Sequence, residues 1–350
     1  MNNLSLLLLV VISAGIAVPS TSAAKQELHL ATVTKATPVE RVKPRYPKSA
    51  ALRGGEGWVK LSYIVNEDGS VSSPIVEDSS GQRAFERQSL RAIKKWRYQP
   101  AKSNGTAIKQ CKNSVMMSFR LSESPLGASK RFIFSYREAS ELLDEGNLKA
   151  AQEKIDKILE RERWNLYEET FVNLLQSRYY QLTKQPEQQL RALKGIIWHG
   201  KKVVEEEIYA QSLTKSIFLQ AQLQQFKGAL NDYDLLEQLP EQEQFKTAAA
   251  PVVEKIKAVV ADADRLLITE VKVTERASWT HQLIRNAFTL SGINGELHNL
   301  EVRCENKYSS FTIKEQVQWT IPKSWGECSV VVFGEPNSQF RLAEVKAEAS

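Results

Sequence analysis

YPKSAALRGGEGWVKLSYIVNEDGSVSSPIVEDSSGQRAFERQSLRAIKKWRYQPAKSNGTAIKQCKNSVMMSFRL, residues 46–121, is the stretch whose periodicity decides the fold. Residues 58–65 alternate, with Val59, Leu61, Tyr63 and Val65 on one face, as in a half-buried strand. Asp68-Gly69 is a favoured hairpin turn pair. Residues 71–76 return as a second strand, in which Pro74 predicts an edge position or a bulge. Ser79, Ser80 or Gly81 is expected to begin a helix over residues 83–95. Phe85, Leu90, Ile93 and Trp96 fall near one face of that helix and would cover the sheet. Tyr98-Gln99-Pro100-Ala101 stops it. Alternation returns at Val115, Met117, Phe119 and Leu121. This order predicts an antiparallel sheet with helix cover, an α+β domain.

Outward from this stretch, the chain changes character on both sides. Its 350 residues allow two or three domains, and 42% apolar with 25% charged residues is an ordinary globular balance. Residues 4–18 are apolar apart from Ser5, Ser13 and Gly15, and Thr21, Ser22, Ala23 and Ala24 are small. Residues 1–24 therefore read as a secretory signal, cut after Ala23 or Ala24. The apolar run is shorter than the about 20 residues of a membrane span. With no Lys or Arg before it, an uncleaved anchor stays open as the alternative. Residues 25–39 are polar and read as a linker.

Charge is unevenly spread. Residues 40–122 hold 16 Lys/Arg against 7 Asp/Glu, a net of +9, and the 228 residues after them carry −4. A basic module on an acidic body suggests either an anionic partner, with Arg41, Lys43 and Arg45 as steering charges, or complementarity within the chain. A merely solvated basic surface is the other reading. Nucleic acid is not expected as a partner of an exported chain.

Residues 130–263 are helical in pattern. Helix-ending corners recur at Gly146-Asn147, at Lys184-Gln185-Pro186-Glu187 and at Gln225-Phe226-Lys227-Gly228-Ala229, roughly 40 residues apart. Residues 139–151 resemble a tetratricopeptide unit. The spacing exceeds that repeat's standard period, so a degenerate TPR-like array of about three hairpins and an ordinary helical bundle both remain open. From residue 264 to 346 the period returns to two, and several short strands with polar turns predict a small β-sandwich. Cys304 closes one of these strands and Cys328 opens another, which favours a Cys304–Cys328 disulfide in an oxidising compartment. Cys111 is left over, as a buried and inert thiol.

The ordered set of residues in the opening stretch resembles the C-terminal domain of TonB proteins. The resemblance rests on Tyr46-Pro47, Ala50, Glu56-Gly57-Trp58-Val59, the turn Gly69, Ser79-Ser80-Gly81, Trp96-Arg97-Tyr98-Gln99-Pro100-Ala101 and Gly105. The whole chain then reads as multi-domain α+β: a TonB-C-like antiparallel sheet with helix over residues 40–122, helical repeats, and the β unit. The resemblance implies capture of an extended peptide at a sheet edge, by backbone pairing. It puts that edge at Val115, Met117, Phe119 and Leu121, with residues 109–114 nearby, and places Tyr46 and Pro47 near the receptor-binding surface. A packing corner is the alternative for those two. Trp58, Trp96 and Tyr98 are expected in the core. The implied partners are an outer-membrane TonB-dependent receptor or a component of a TonB/ExbB/ExbD-type complex, with peptidoglycan as a further candidate.

Signatures of catalysis are missing from the sequence. His29, His199, His281 and His298 are scattered without metal-ligand spacing, and there is no HExxH, GxSxG or P-loop. The residues Glu205, Glu206 and Glu207 read as a solvated helical face. No cofactor and no metal are expected. The linker is far shorter than the long Pro-rich spacer typical of TonB proteins. The expectation is therefore a periplasmic adaptor, soluble after cleavage. A periplasmic scaffold unconnected with uptake, and a membrane-anchored transducer, are the alternatives.

Overall fold

The structure, a computed structural model, describes residues 33–121, 127–161 and 165–346. The stretch read as a secretory signal lies outside them. The first unit contains β1 (Val33–Thr34), β2 (Thr37–Glu40), α1 (Lys48–Arg53), β3 (Gly57–Val65), β4 (Val71–Ser79), α2 (Arg83–Ile93), β5 (Arg97–Gln99), β6 (Ala101–Ser103), β7 (Thr106–Ile108) and β8 (Gln110–Phe119). The central sheet runs β4-β3-β8 and is antiparallel throughout. Val59, Leu61, Tyr63 and Val65 face α2, packed with Phe85, Ile93, Trp96 and Tyr98. This is the expected alternation.

Local chemistry shapes this sheet. Gly69 turns with φ +77°, and a Cβ there would lie 1.9 Å from the Tyr98 carbonyl oxygen, so only glycine fits. Beside Pro74, Ser73 takes φ 46° and the β3/β4 register shifts, giving the expected bulge on an edge strand. The expected serine or glycine cap of α2 is not what the structure shows: Gln82 is the N-cap and makes no side-chain cap bond. Ser79 Oγ instead donates to Glu86 Oε1 at 2.5 Å and accepts from the Gly81 amide. Two short strands fall in or beside the stretch read as a linker. β1 pairs with β6, and β2 with β5. The Asn104-Gly105 turn, both residues at positive φ, joins β6 to β7.

The second unit is helical: α3 (Lys130–Asp144), α4 (Leu148–Leu159), α5 (Leu166–Leu182), α6 (Pro186–His199), α7 (Glu206–Gln222), α8 (Phe226–Glu237) and α9 (Glu243–Ala261). The three expected corners separate α3 from α4, α5 from α6 and α7 from α8. Gly146, Lys184 and Gln224 take positive φ at these corners. Ser129, Asn147 and Asn165 accept amide hydrogens at the starts of α3, α4 and α5. Asp232 is buried, and its carboxylate accepts from Lys194, Ser216 and Gln220, so the desolvated charge has its partners.

The third unit holds β9 (Leu267–Lys272), β10 (Ser278–Gln282), β11 (Ala287–Asn294), β12 (Leu297–Cys304), β13 (Tyr308–Phe311), β14 (Gln318–Thr320), β15 (Cys328–Gly334) and β16 (Gln339–Val345). They form two four-stranded sheets, β10-β15-β12-β13 and β14-β11-β16-β9, with one apolar core between them. Cys304 and Cys328 are register partners on β12 and β15 and are joined as a disulfide. Arg285 binds this unit to the end of α9. Its guanidinium donates to the carbonyls of Val259, Val260, Asp262 and Arg265. A cation there completes the acceptors that a helix end leaves unpaired.

Candidate partner-binding edge and the junction behind it

β8 pairs with β3 on one side. Among the described residues no strand pairs with its other side. The register sets the side chains: Val115 and Met117 lie opposite Leu61 and Val59, and Phe119 opposite Gly57. Met117 and Phe119 are buried under α2, and Val115 packs against the same core. The backbone, with exposed Ser114 and Ser118 and half-buried Met116, is what the edge offers. Leu121 donates its amide to Glu56 Oε1 at 2.9 Å. Tyr46 and Pro47 form a packing corner. Pro47 is buried, and Tyr46 sets its ring edge-on to Phe85 and Phe119 while its hydroxyl donates to the Gly55 carbonyl at 2.6 Å. Burial pushes the Tyr46 hydroxyl up to about 12.

The first part of β8 abuts the third unit. Lys109 lies over the Tyr308 ring, and Lys112 pairs with Glu327. Glu327 also takes Lys227 of α8 at 2.7 Å, so one carboxylate joins all three units. These bonds, Lys112 first, hold Glu327 down at about 2. Between the two lysines lies Cys111, buried, with its thiol pushed up to about 12 by desolvation. That holds it as a thiol rather than a reactive thiolate. Arg303 donates to the Ser73 carbonyl at 3.1 Å, and Arg276 reaches Ser79 Oγ and Glu86 at 3.1 and 2.8 Å.

The sheet face opposite α2 meets the helical unit through Trp58. Its Nε1 donates to Glu169 Oε1 at 2.9 Å, and its ring sits edge-on to Trp198 at 5.1 Å and beside His199. Buried Glu56 adds a second tie, Oε2 accepting from the Leu166 amide. Desolvation raises Glu169 to about 7; the Trp58 bond opposes this, and Asp78 adds to it. His199 is pushed down to about 4 by burial and by Arg120, which keeps its ring neutral. Trp58 was legible as buried but not as a docking residue; its place on the strand face opposite Val59 was the available signal. Among the described residues no group of three or more His, Cys, Asp or Glu is arranged to hold a metal ion. None of their helices is long and apolar enough to cross a membrane.

Residues 42–121 match the family described as Gram-negative bacterial TonB protein C-terminal, and this segment is a TonB C-terminal domain. Protein TonB of Pseudomonas aeruginosa is 35% identical over 71 residues, which cover 20% of this chain and 21% of that protein. Protein tonB2 of the same organism is 38% identical over 78 residues, or 22% and 28% of the two chains. The chain spans between 21% and 28% of the length of these relatives. The solution structure of the Pseudomonas aeruginosa TonB CTD is 29% identical, with 26% of this chain and 92% of that one covered and a TM-score of 0.24.

Proposed function

We propose that this protein is a periplasmic accessory of TonB-dependent transport that captures an extended partner peptide at the free edge of β8. The observation that carries this reading is a TonB C-terminal domain whose β8 has no strand on its outer side among the described residues. An added strand would gain main-chain hydrogen bonds along that edge, with selectivity from Ser114, Met116 and Ser118. Val115, Met117 and Phe119 serve it from below by holding the strand flat on the core. Tyr46 and Pro47 buttress the same end of the sheet. The partner is an outer-membrane TonB-dependent receptor or a component of a TonB/ExbB/ExbD-type complex. The chain binds rather than catalyses, and the compartment is the periplasm.

We read the three helical hairpins as a degenerate tetratricopeptide-like array, and the paired sheets as a small β-sandwich. Both hold the edge domain from behind. The test is hydrogen exchange of the full chain with and without a synthetic TonB-box peptide from a receptor. Binding with added protection at residues 114–119 is expected. Binding that leaves those amides unprotected, or no binding, overturns the proposal.

A second reading, a periplasmic scaffold with peptidoglycan as a candidate partner, draws on the cover over the start of β8 by Tyr308 and Glu327. A deletion strain with normal siderophore uptake and an altered envelope would favour it.

A further inference from the structure

The first unit treats its cations differently on its two sides. At the junctions behind the sheet they are paired: Lys60 with Glu77 at 2.9 Å, and Lys112 with Glu327. On the exposed side of α2 they are not. Arg83, Arg87 and Arg91 recur every four residues along that helix, and Lys95 continues the spacing just past its end; all four are exposed. Like charges at this spacing stand about 6 Å apart and repel. Arg83 also opens the helix, where the macrodipole opposes a cation. α2 has one acid, Glu86, and Arg276 of the third unit takes it at 2.8 Å. Folding alone gains nothing from such a row.

Arg91 and Lys95 also line a groove of about 310 Å³, together with Lys43 and Arg45 from the segment between β2 and α1. No carboxylate lines it, and among the described residues none of the four cations has an ion-pair partner. Two guanidinium groups and two ammonium groups around one space suit phosphate, which arginine grips through two parallel hydrogen bonds and lysine meets as a point charge. A peptide finds less to hold. No lining residue lies in a strand, so no backbone ladder is offered. Val42 and Ala92 are the only aliphatic residues of the lining, too few to seat the anchors of an amphipathic helix. Beyond the groove the row runs on to Arg87 and Arg83, so phosphates beside the first would meet further cations. A membrane surface presents such an array, and a free phosphate does not.

We propose that α2 and the segment before α1 form a docking surface for an anionic phospholipid membrane. One headgroup phosphate sits in the groove among Lys43, Arg45, Arg91 and Lys95, and its neighbours lie along Arg87 and Arg83. The groove shares no residue with β8, so this surface and the strand edge can each fail its test without the other.

The test is co-sedimentation of the full chain with vesicles of phosphatidylglycerol and phosphatidylcholine in equal parts, against vesicles of phosphatidylcholine alone. Binding to the anionic vesicles only, weakening between about 0.05 M and about 0.5 M salt, is expected. Arg91→Gln with Lys95→Gln should lower the partition coefficient by about 25-fold, about fivefold for each cation. Arg91→Lys with Lys95→Arg keeps both charges and should stay within about twofold of the parent. Lys201→Gln with Lys202→Gln removes two exposed charges just after α6 and should also bind like the parent. Circular dichroism confirms that each variant is folded. No binding to the anionic vesicles, equal binding to phosphatidylcholine, or an equal loss in the Lys201/Lys202 variant overturns the proposal. So does binding of glycerol 3-phosphate or of poly-glutamate in place of the vesicles, which assigns the groove to a soluble phosphate or to an acidic polypeptide.

Discussion

Glu169 is a carboxylate placed where ionisation is costly. Its folded pKa of about 7 lies above the ordinary 4.5. The stability it contributes is therefore complete below about 4.5 and is lost as pH rises through about 7. Glu169→Gln keeps an acceptor for Trp58 and removes the charge. Its melting temperature relative to the parent protein should climb between about pH 5 and about pH 8, read by thermal melts across that range. Gly69 is the other decisive residue. Gly69→Ala must put a methyl into the Tyr98 carbonyl at φ +77°. A loss of at least about 2 kcal/mol is expected, measured by denaturant melts of near-ultraviolet dichroism. Gly69 was legible because Asp-Gly announces its turn. Glu169 was not, because the second Glu of Glu168-Glu169 in a helical pattern carries no sign of which neighbour will bury it.

At the scale of elements, period was the reliable signal. β3, β4, α2 and β8 stand where alternation and helical spacing put them, and β12 closes at Cys304 and β15 opens at Cys328 as expected. β1, β2, β5, β6 and β7 escaped, since two to four residues are too few to show a period. β10 escaped for another reason: its core-facing residues are Trp279 and His281 rather than aliphatics, and Ser278, Thr280 and Gln282 between them face outward, so its alternation reads as polar. β8 was legible as a strand, yet Val115, Met117 and Phe119, the side chains singled out there, point inward to the core, and its outer side offers backbone. The Cys304–Cys328 bridge pins β12 to β15 across a separation of 24 residues. Cys304→Ser with Cys328→Ser should cost about 3 kcal/mol, measured by urea unfolding of the full chain.

For the whole molecule, docking is the property that no local pattern announces. A basic first unit on an acidic remainder pointed toward complementarity, which Lys112 realises with Glu327; Arg276 and Arg303 run the other way, from the third unit to Glu86 and to the Ser73 carbonyl of the first. Glu327 is the shared joint. Its depressed pKa means that its contribution is present above about 4.5 and lost as pH falls toward about 2. Because the carboxylate is half exposed, the effect belongs to domain arrangement rather than to global stability. Glu327→Gln should therefore enlarge the radius of gyration and speed native-state proteolysis at low salt. Parent and variant should converge in about 1 M salt, as scattering and protease time courses would show.

The guanidinium of Arg285 has a practical consequence for dissecting this chain. It ties carbonyls from Val259 through Arg265 to the β unit, so the helices and the paired sheets share one joint with no free seam. A truncation ending near residue 263 would strip the last helix of its terminal partner and take from Arg285 the carbonyls of Val259, Val260 and Asp262, leaving those of Arg265 and Glu344 in the other fragment. Expression of the last two units together from about residue 127, rather than apart, is the division that leaves every such bond intact.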